Sequence, residues 1–263
     1  MEPIAPKLIL VPTDFSAPSA QALRYGAALA ERFSAHLLVI YADRFVQPVD
    51  FTMSAAGVFD MPREELVEAA REQLQAFAET NISRSVPYDV RVMIGTPIAA
   101  ILAQASETGA DLIVMGTHGR TGLRRLLVGS VTEAIMRLAP VPVIVVHEES
   151  PLEAAAMRRI VSVPRTTTEV VVAVLLAGAF ADAEAAQYVE VPEGADVAAV
   201  AQAGDADLMV LGIAEDRSIA DSFRSTIAER IIQHSACPAL TLNRFAAART
   251  MGSIHEREPA ISA

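Results

Sequence analysis

The segment DLIVMGTHGRTGLRRLLVGSV, residues 111–131, joins an apolar run to a glycine-rich loop and to the start of a second apolar segment. DLIVMG at 111–116 has the apolar, β-branched composition of a buried strand. The glycines follow the spacing G-x2-G-x9-G-S, and from Ser130 onward the apolar residues recur with a helical period. A strand that is followed by a glycine-rich turn and a helix is typical of a parallel α/β sheet.

Alternating strand and helix patterns flank this segment through the first half of the chain. Nearly continuous apolar strands that are separated by helices predict a parallel sheet covered by helices on both faces. We therefore predict the order β-α-β-α-β-α-β-α-β. The predicted strands are 8–12, 36–42, 88–95, 111–116 and 141–146, and the predicted helices are 19–33, 62–80, 97–108 and 130–138.

The second half of the chain repeats part of this pattern. ADLIVMG at 110–116 recurs as ADLMVLG at 206–212, an offset of 96 residues. Nearer the start of each half, LVP ending at Pro12 matches SVP ending at Pro164, an offset of 152 residues, so the second copy is shorter by the difference of 56 residues. We predict a truncated second copy with four strands, followed by a disordered tail that lacks apolar periodicity. The predicted boundaries are 1–147 for the first domain, 156–245 for the second and 246–263 for the tail.

Composition disfavours two classes of partner. Hydrophobic residues make up 52% of the 263 residues and the mean hydropathy is +0.35, which is ample for a packed core. The net charge of −11 repels a nucleic-acid backbone. The longest strongly apolar stretch, 170–181, is too short to span a bilayer. We expect neither a nucleic-acid partner nor a membrane partner.

Cysteine content and the first residues indicate a cellular compartment. Cys237 is the only cysteine, so neither an intrachain disulfide nor a cysteine-based metal site can form. The first 16 residues lack the basic and apolar regions of a signal peptide. We therefore expect a reducing, cytoplasmic setting.

The glycine-rich loop has the residue types of a phosphate-binding site. Gly116 and Gly119 have no Cβ, so backbone N–H groups there can approach phosphate oxygens closely. Gly129 and Ser130 open a helix whose free N–H groups and positive dipole end favour an anion. The other interpretation is an ordinary glycine-rich turn in which Ser130 caps the helix.

Two other nucleotide-binding motifs are absent from the sequence. A Walker A loop needs a lysine before its Ser or Thr, and Lys7 is the only lysine. A dinucleotide fingerprint needs G-x-G-x-x-G after the first strand, where this chain has VPTDFS at 11–16. The arginines at 120, 124 and 125 fit a mononucleotide better than a duplex, and a solvated basic turn is the alternative.

The loop spacing, VPTDFS at 11–16 and VPVIVV at 141–146 together resemble the ATP-binding branch of the universal stress protein family. The resemblance implies a Rossmann-like open sheet with strand order 3-2-1-4-5. The switch in strand order then lies between the first and fourth strands, which would bring Asp14 beside Gly116. The resemblance also implies that the cofactor is ATP or a related adenine nucleotide, with Mg²⁺.

The resemblance assigns roles to individual residues. It implies that Asp14 lies near the ribose and phosphates, that Pro12 and Thr13 line the base pocket, and that the backbone of Ala42 recognises adenine. Asp14 and Ser130 would contact the metal only indirectly, through nucleotide-bound Mg²⁺. Asp14 also fits a helix-initiating turn, and the two roles are compatible. The full set of predicted nucleotide-binding residues is Pro12, Thr13, Asp14, Ala42, Met115, Gly116, Gly119, Arg120, Gly129, Ser130 and Val131.

The second copy has lost these residue types. At the offset of 96, Gly119 becomes Glu215 and Gly129 becomes Ser225, and at the offset of 152 Asp14 becomes Thr166. We therefore expect a degenerate second domain without nucleotide. Because relatives pair through their last strands, the resemblance implies that 143–146 pairs with 239–242 as an intramolecular pseudo-dimer. A homodimer of the full chain is also compatible with the sequence.

Three functions are compatible with the sequence. The leading one is an ATP-binding regulatory or sensor module in the stress response. The alternatives are a slow ATPase or phosphotransferase and a nucleotide-free scaffold. No general base is evident, and we assign no catalytic residue. Glycines retained at the loop disfavour the scaffold.

Overall fold

The computed structural model describes residues 5–44, 62–117, 128–150, 152, 159–163, 187–190, 206–213, 232 and 237–257. The first half contains five strands and four helices in strict alternation, as predicted. These elements are β1 Leu8–Thr13, α1 Ala17–Phe33, β2 His36–Asp43, α2 Arg63–Asn81, β3 Tyr88–Ile94, α3 Pro97–Glu107, β4 Leu112–Gly116, α4 Ser130–Leu138 and β5 Val143–Val146. The second half contributes β6 Arg159–Val163, β7 Gln187–Glu190, β8 Leu208–Gly212, β9 Ala239–Leu242 and α5 Arg244–Arg257.

All nine described strands form one sheet in the order β3-β2-β1-β4-β5-β9-β8-β6-β7. The first five have the order 3-2-1-4-5 that the resemblance implied. Strand β1 pairs in parallel with β2 on one side and with β4 on the other, so the strand order switches next to β1. Among the described strands, only the β5–β9 pair is antiparallel.

Alternate residues along each strand supply two separate cores, because successive side chains point to opposite faces of a sheet. On one face, Val11 and Val39 pack with residues of α1 and α2 such as Leu23. On the other face, Leu10 and Ile40 pack with residues of α3 and α4. The prediction of helices on both faces is therefore confirmed for the first half.

The β5–β9 pairing has a two-fold relationship. Val143 lies opposite Thr241, Ile144 opposite Leu240 and Val145 opposite Ala239. The repeat offset of 96 makes Leu240 the equivalent of Ile144, so the central pair joins equivalent residues of the two halves. The strand pairing implied by the resemblance is therefore present.

The four strands expected in the second half are present as β6 to β9. Strand β8 lies between β6 and β9, just as β4 lies between β1 and β5. Leu208 and Val210 belong to the same face of the sheet as their offset partners Leu112 and Val114. The segments that connect these strands lie largely outside the described residues.

The prediction of a disordered tail is wrong for residues 246–257, which belong to α5. Ala246 and Ala247 are buried, and their N–H groups bond to the side-chain and backbone oxygens of Asn243 at 2.9 Å. The sequence signal was weak because the described residues that are buried in this helix are two small alanines. Residues 258–263 lie outside the described part of the chain. Within the part described, no helix has the length and apolar character needed to cross a membrane.

Candidate functional site

A cavity of about 350 Å³ lies at the carboxyl ends of β1, β2 and β4, next to the switch in strand order. This is the edge at which open α/β sheets bind ligands. The cavity lies on the face of the sheet that α3 and α4 cover. Its walls are formed by Pro12, Thr13, Asp14, Ser19, Ile40, Ala42, Pro97, Ile101, Met115, Gly116, Gly129, Ser130, Val131 and Thr132.

The cavity has an apolar floor and a polar mouth. Ile40, Ile101 and Met115 form the floor and are at most 5% exposed. Asp14 and Ser130 lie at the mouth, where Ser130 is exposed and Asp14 is half-buried. The arrangement suits a ligand with a flat apolar ring at one end and a charged or strongly polar group at the other.

The turn between β1 and α1 holds Asp14 at the mouth. One carboxylate oxygen of Asp14 accepts hydrogen bonds from the N–H of Ser16 at 3.1 Å and from its hydroxyl at 2.5 Å. The Ser16 hydroxyl oxygen in turn accepts the N–H of Ser19 and caps α1. Asp14 therefore has the helix-initiating role that the sequence left open, and its role toward a nucleotide stays a prediction.

Phe15, between Asp14 and Ser16, is the residue at which the backbone of this turn reverses direction. Its φ of 65° lies in the left-handed region, which costs a non-glycine residue free energy. Its ring packs on the opposite face of the sheet, with centroids 4.7 Å from Tyr41 and 5.4 Å from Phe77. Aromatic packing thus offsets the backbone strain and fixes the turn between Asp14 and Ser16.

Gly116 is required for close packing between β4 and α1. A Cβ built on Gly116 would lie 2.8 Å from the backbone carbon of Pro18 and 2.9 Å from its oxygen.

Two hydrogen bonds join the ends of the glycine-rich loop. The Gly116 carbonyl accepts the Thr132 hydroxyl at 2.9 Å, and the Gly129 N–H donates to the Thr117 carbonyl at 2.7 Å. These bonds bring the two ends of the glycine-rich loop together, and the loop itself, 118–127, lies outside the described residues.

Helix α4 points its first turn into the cavity. Gly129 is the N-cap residue, with φ −61° and ψ 146°, and it provides no side-chain cap. Ser130 is the first helical residue, so the interpretation of Ser130 as an ordinary N-cap is wrong. The N–H groups of the first turn thus face a solvent-accessible cavity without a capping oxygen from Gly129, which is the arrangement that favours a bound anion.

Ala42 offers backbone groups at the opposite side of the cavity. The N–H of His36 bonds to the carbonyl of Lys7, just before β1, and the N–H of Leu37 bonds to that of Pro87, just before β3, so even-numbered residues of β2 direct their peptide groups toward β1. Pairing with β1 ends at Tyr41, opposite Thr13. This register places the Ala42 N–H against the Thr13 carbonyl, so it is the Ala42 carbonyl that points past the end of β1 toward the cavity edge.

Nine of the eleven residues predicted from the sequence line this one cavity. Gly119 and Arg120 lie outside the described residues. The sequence prediction missed five lining residues. Ile40 could have been predicted, because residues two apart in a strand point to the same face and Ala42 was already assigned to the site. Pro97 could have been predicted, because it follows the carboxyl end of β3, at the same edge of the sheet. The five are Ser19, Ile40, Pro97, Ile101 and Thr132.

Comparison with known proteins identifies the family. The model of the universal stress protein family matches residues 6–147, more than half of the chain. The chain belongs to the universal stress protein family. Every lining residue of the cavity lies inside the matched range, and residues beyond 147 lie outside it.

Individual universal stress proteins resemble the chain over the same region. Universal stress protein MJ0531 of Methanocaldococcus jannaschii is 36% identical over 143 residues, which are 54% of this chain and 82% of that protein. Universal stress protein MJ0577 of the same organism is 30% identical over 156 residues, 55% of this chain and 96% of that protein. Proteins of this family therefore exist at about the length of the first half alone.

A solved universal stress protein resembles the chain over both halves. The protein from Archaeoglobus fulgidus DSM 4304 covers 90% of this chain and 98% of its own, with a TM-score of 0.61 and 16% identity. At this identity the likeness shows the fold alone. The two halves of this universal stress protein thus follow a known α/β arrangement.

The charge at the cavity bears on the kind of ligand. Asp14 is the one charged side chain among the described residues that line it. Within the described part of the chain, no group of three or more His, Cys, Asp or Glu side chains could hold a metal ion. A cation at this cavity would therefore need ligand oxygens in addition to the Asp14 carboxylate.

Replacing Gly116 by alanine should lower the free energy of unfolding by about 1–3 kcal/mol, because the new methyl group would overlap the backbone of Pro18. Gly252→Ala is the matched control. Gly252 lies in α5 with no atom within 4 Å of a built Cβ, so the same change should stabilise by up to about 1 kcal/mol. Urea unfolding of both variants measures the two effects. A Gly116→Ala protein as stable as the wild type would contradict the packing role.

Proposed function

We propose that this universal stress protein binds ATP in the cavity of its first half and acts as a nucleotide sensor. The observation that carries the proposal is the first turn of α4, whose N–H groups meet the cavity beside an apolar floor. Phosphates fit the α4 end, since free helix N–H groups and the helix dipole favour anions. The adenine ring fits the floor formed by Ile40, Ile101 and Met115.

Recognition of the base is assigned to the backbone of Ala42. Its carbonyl points past the end of β1, so one hydrogen-bond acceptor is available to the edge of a flat ring. An acceptor of this kind favours a base that has a donor at its edge. Adenine has such a donor in its exocyclic amine, at the position where guanine has a carbonyl.

We propose Mg²⁺ as the accompanying cation. ATP would bring its negatively charged phosphates close to the Asp14 carboxylate, and these like charges would repel one another. A divalent cation that is bound to the phosphates would convert this repulsion into an attraction. Ser130, at the exposed mouth, supplies a hydroxyl on the same side.

We further propose that the second half is a truncated, degenerate second copy. Support comes from the repeat offset of 96, from the matching positions of β4 and β8 in the sheet, and from the two-fold register of the β5–β9 pair. Glu215 stands where the first copy has Gly119, and a carboxylate there would repel phosphate. The two halves then form a pseudo-dimer with one nucleotide site.

Isothermal titration calorimetry of the full chain with ATP and Mg²⁺ tests this function. We expect saturable binding with one nucleotide per chain, weaker binding of ATP when Mg²⁺ is removed, and no comparable binding of GTP. Native mass spectrometry of the freshly purified protein checks the stoichiometry independently. Absence of binding and of any thermal stabilisation at about 1 mM ATP would reject the proposal, because a ligand in large excess over its Kd must stabilise the folded state. Two nucleotides per chain would reject the degenerate second site.

A further inference from the structure

Helix α4 connects the cavity to the second half of the chain. It has nine residues, so its two ends are separated by only about 13 Å at 1.5 Å per residue. Its first turn lines the cavity, and carbonyls at its other end bond to Asn243, a residue of the second half. A displacement of one end of so short a helix therefore moves the other end.

Asn243, between β9 and α5, holds the carboxyl end of α4. Its side-chain Nδ2 donates to the carbonyls of Met136 and Ala139, each at 3.0 Å. Its Oδ1 accepts the N–H of Ala246 at 2.9 Å and so caps α5. Donors on one side and an acceptor on the other fix the orientation of the amide, because a flipped amide would lose all three bonds.

The position of Asn243 makes these bonds costly to break. The residue is 1% exposed, so a lost partner cannot be replaced by bulk water without opening the structure. The same side chain brings the carbonyl end of α4 next to the N–H end of α5. The two helix dipoles therefore meet with opposite partial charges, which stabilises this contact.

We propose that Asn243 is a positioning residue for the phosphate end of the cavity, so that the second half of the chain contributes to ligand affinity without touching the ligand. The inference rests on the proposed ATP site. By fixing the carboxyl end of α4, Asn243 sets the direction of the N–H groups at the other end. Hydrogen bonds from N–H groups to charged oxygens depend strongly on distance and angle, so a small tilt of α4 weakens them. This gives the degenerate copy a role in the site of the intact one.

A second buried bond between the two halves supplies a control. The Thr241 hydroxyl donates to the Val143 carbonyl at 3.0 Å, and Thr241 is as fully buried as Asn243. Thr241 bonds to β5, which does not line the cavity, and it makes no described bond to α4. Thr241→Val removes this bond with little change of shape and leaves the link to α4 in place.

The test measures two ligands on two variants of the full chain. Asn243→Ser keeps a capping oxygen for α5 but is too short to reach the carbonyls of α4. MgATP engages the first turn of α4, whereas adenosine has no phosphate to do so. We expect Asn243→Ser to bind MgATP about tenfold more weakly and adenosine within about twofold of the wild type, and Thr241→Val to bind both ligands as the wild type does, since a tenfold loss corresponds to one weakened charged hydrogen bond. Asn243→Thr, a second capping residue without amide donors, repeats the measurement if Asn243→Ser does not fold.

Three results would overturn the positioning role while leaving the ATP site intact. Asn243→Ser and Asn243→Thr could bind MgATP like the wild type. Both ligands could weaken together, which would indicate collapse of the cavity. Thr241→Val could lose MgATP affinity to the same extent, which would indicate a general effect of the interface. A wild-type chain that binds neither ligand would instead overturn the proposed function, and the positioning role with it.

Discussion

Replacing Gly129 by aspartate is expected to weaken ATP binding by at least about 100-fold while leaving the protein folded. Gly129 has φ −61° and ψ 146°, which every amino acid can adopt, so the backbone tolerates the change. Aspartate is among the best N-cap residues and should stabilise α4 by about 0.5–2 kcal/mol. Its carboxylate would also occupy the first-turn N–H groups and repel phosphate, and two like charges about 4 Å apart near a protein surface repel by about 4 kcal/mol.

Gly129→Asn is the matched control for this change. Asparagine caps a helix about as well as aspartate and has nearly the same shape, but it carries no charge. It should therefore compete for the same N–H groups and weaken binding much less than aspartate does. Calorimetry with MgATP and a thermal melt measure both variants. If Gly129→Asp binds ATP with wild-type affinity, the phosphates do not bind at the first turn of α4.

The sequence contained enough information to locate the cavity. Strand order places the ends of β1 and β4 side by side; Asp14 directly follows β1, Gly116 is the last residue of β4, and Gly129 directly precedes α4. Local sequence and topology therefore act together at the carboxyl edge. The residues that were missed, such as Ile101 and Thr132, lie on helix faces whose direction depends on how α3 and α4 pack.

Other features could not be predicted because they depend on contacts distant in sequence. Gly116 was assigned to phosphate approach, but the structure gives it a packing role against Pro18, which is 98 residues away in the chain. Asn243 has no motif around it, and its bonds to α4 span more than 100 residues. Helix α5 was mistaken for a tail for the same reason. Its Asn243 cap and its buried alanines stabilise a helix only when the helix packs against the rest of the protein.

A fragment of residues 1–150 is expected to form dimers that the full chain does not form. All four residues of β5 are buried, and β9 covers its outer edge. Removing the second half would expose a short apolar edge strand, and such strands pair with other chains. The fragment ends at 150 rather than 147 because the Ser150 carbonyl accepts the side-chain N–H of Gln21 at 2.6 Å. Relatives of about this length exist, so a half-length chain of this family can fold.

The register of the β5–β9 pair indicates how the fragment would dimerise. Ile144 lies opposite Leu240, its equivalent in the repeat, so a second β5 could replace β9 with Ile144 opposite Ile144 and keep the same two-fold symmetry.

A proline in β5 provides a control for this dimer. Residues 143 and 145 direct their peptide groups toward β9, since the carbonyls of Pro142 and Val146 bond to the β4 side. Val145→Pro removes an N–H from the exposed edge without removing a bond to β4, so this variant of the fragment should stay monomeric. Analytical ultracentrifugation at about 100 μM, within the range where exposed edges associate, distinguishes the species. A monomeric 1–150 fragment at that concentration would show that β5 needs no cover and that the second half serves another purpose.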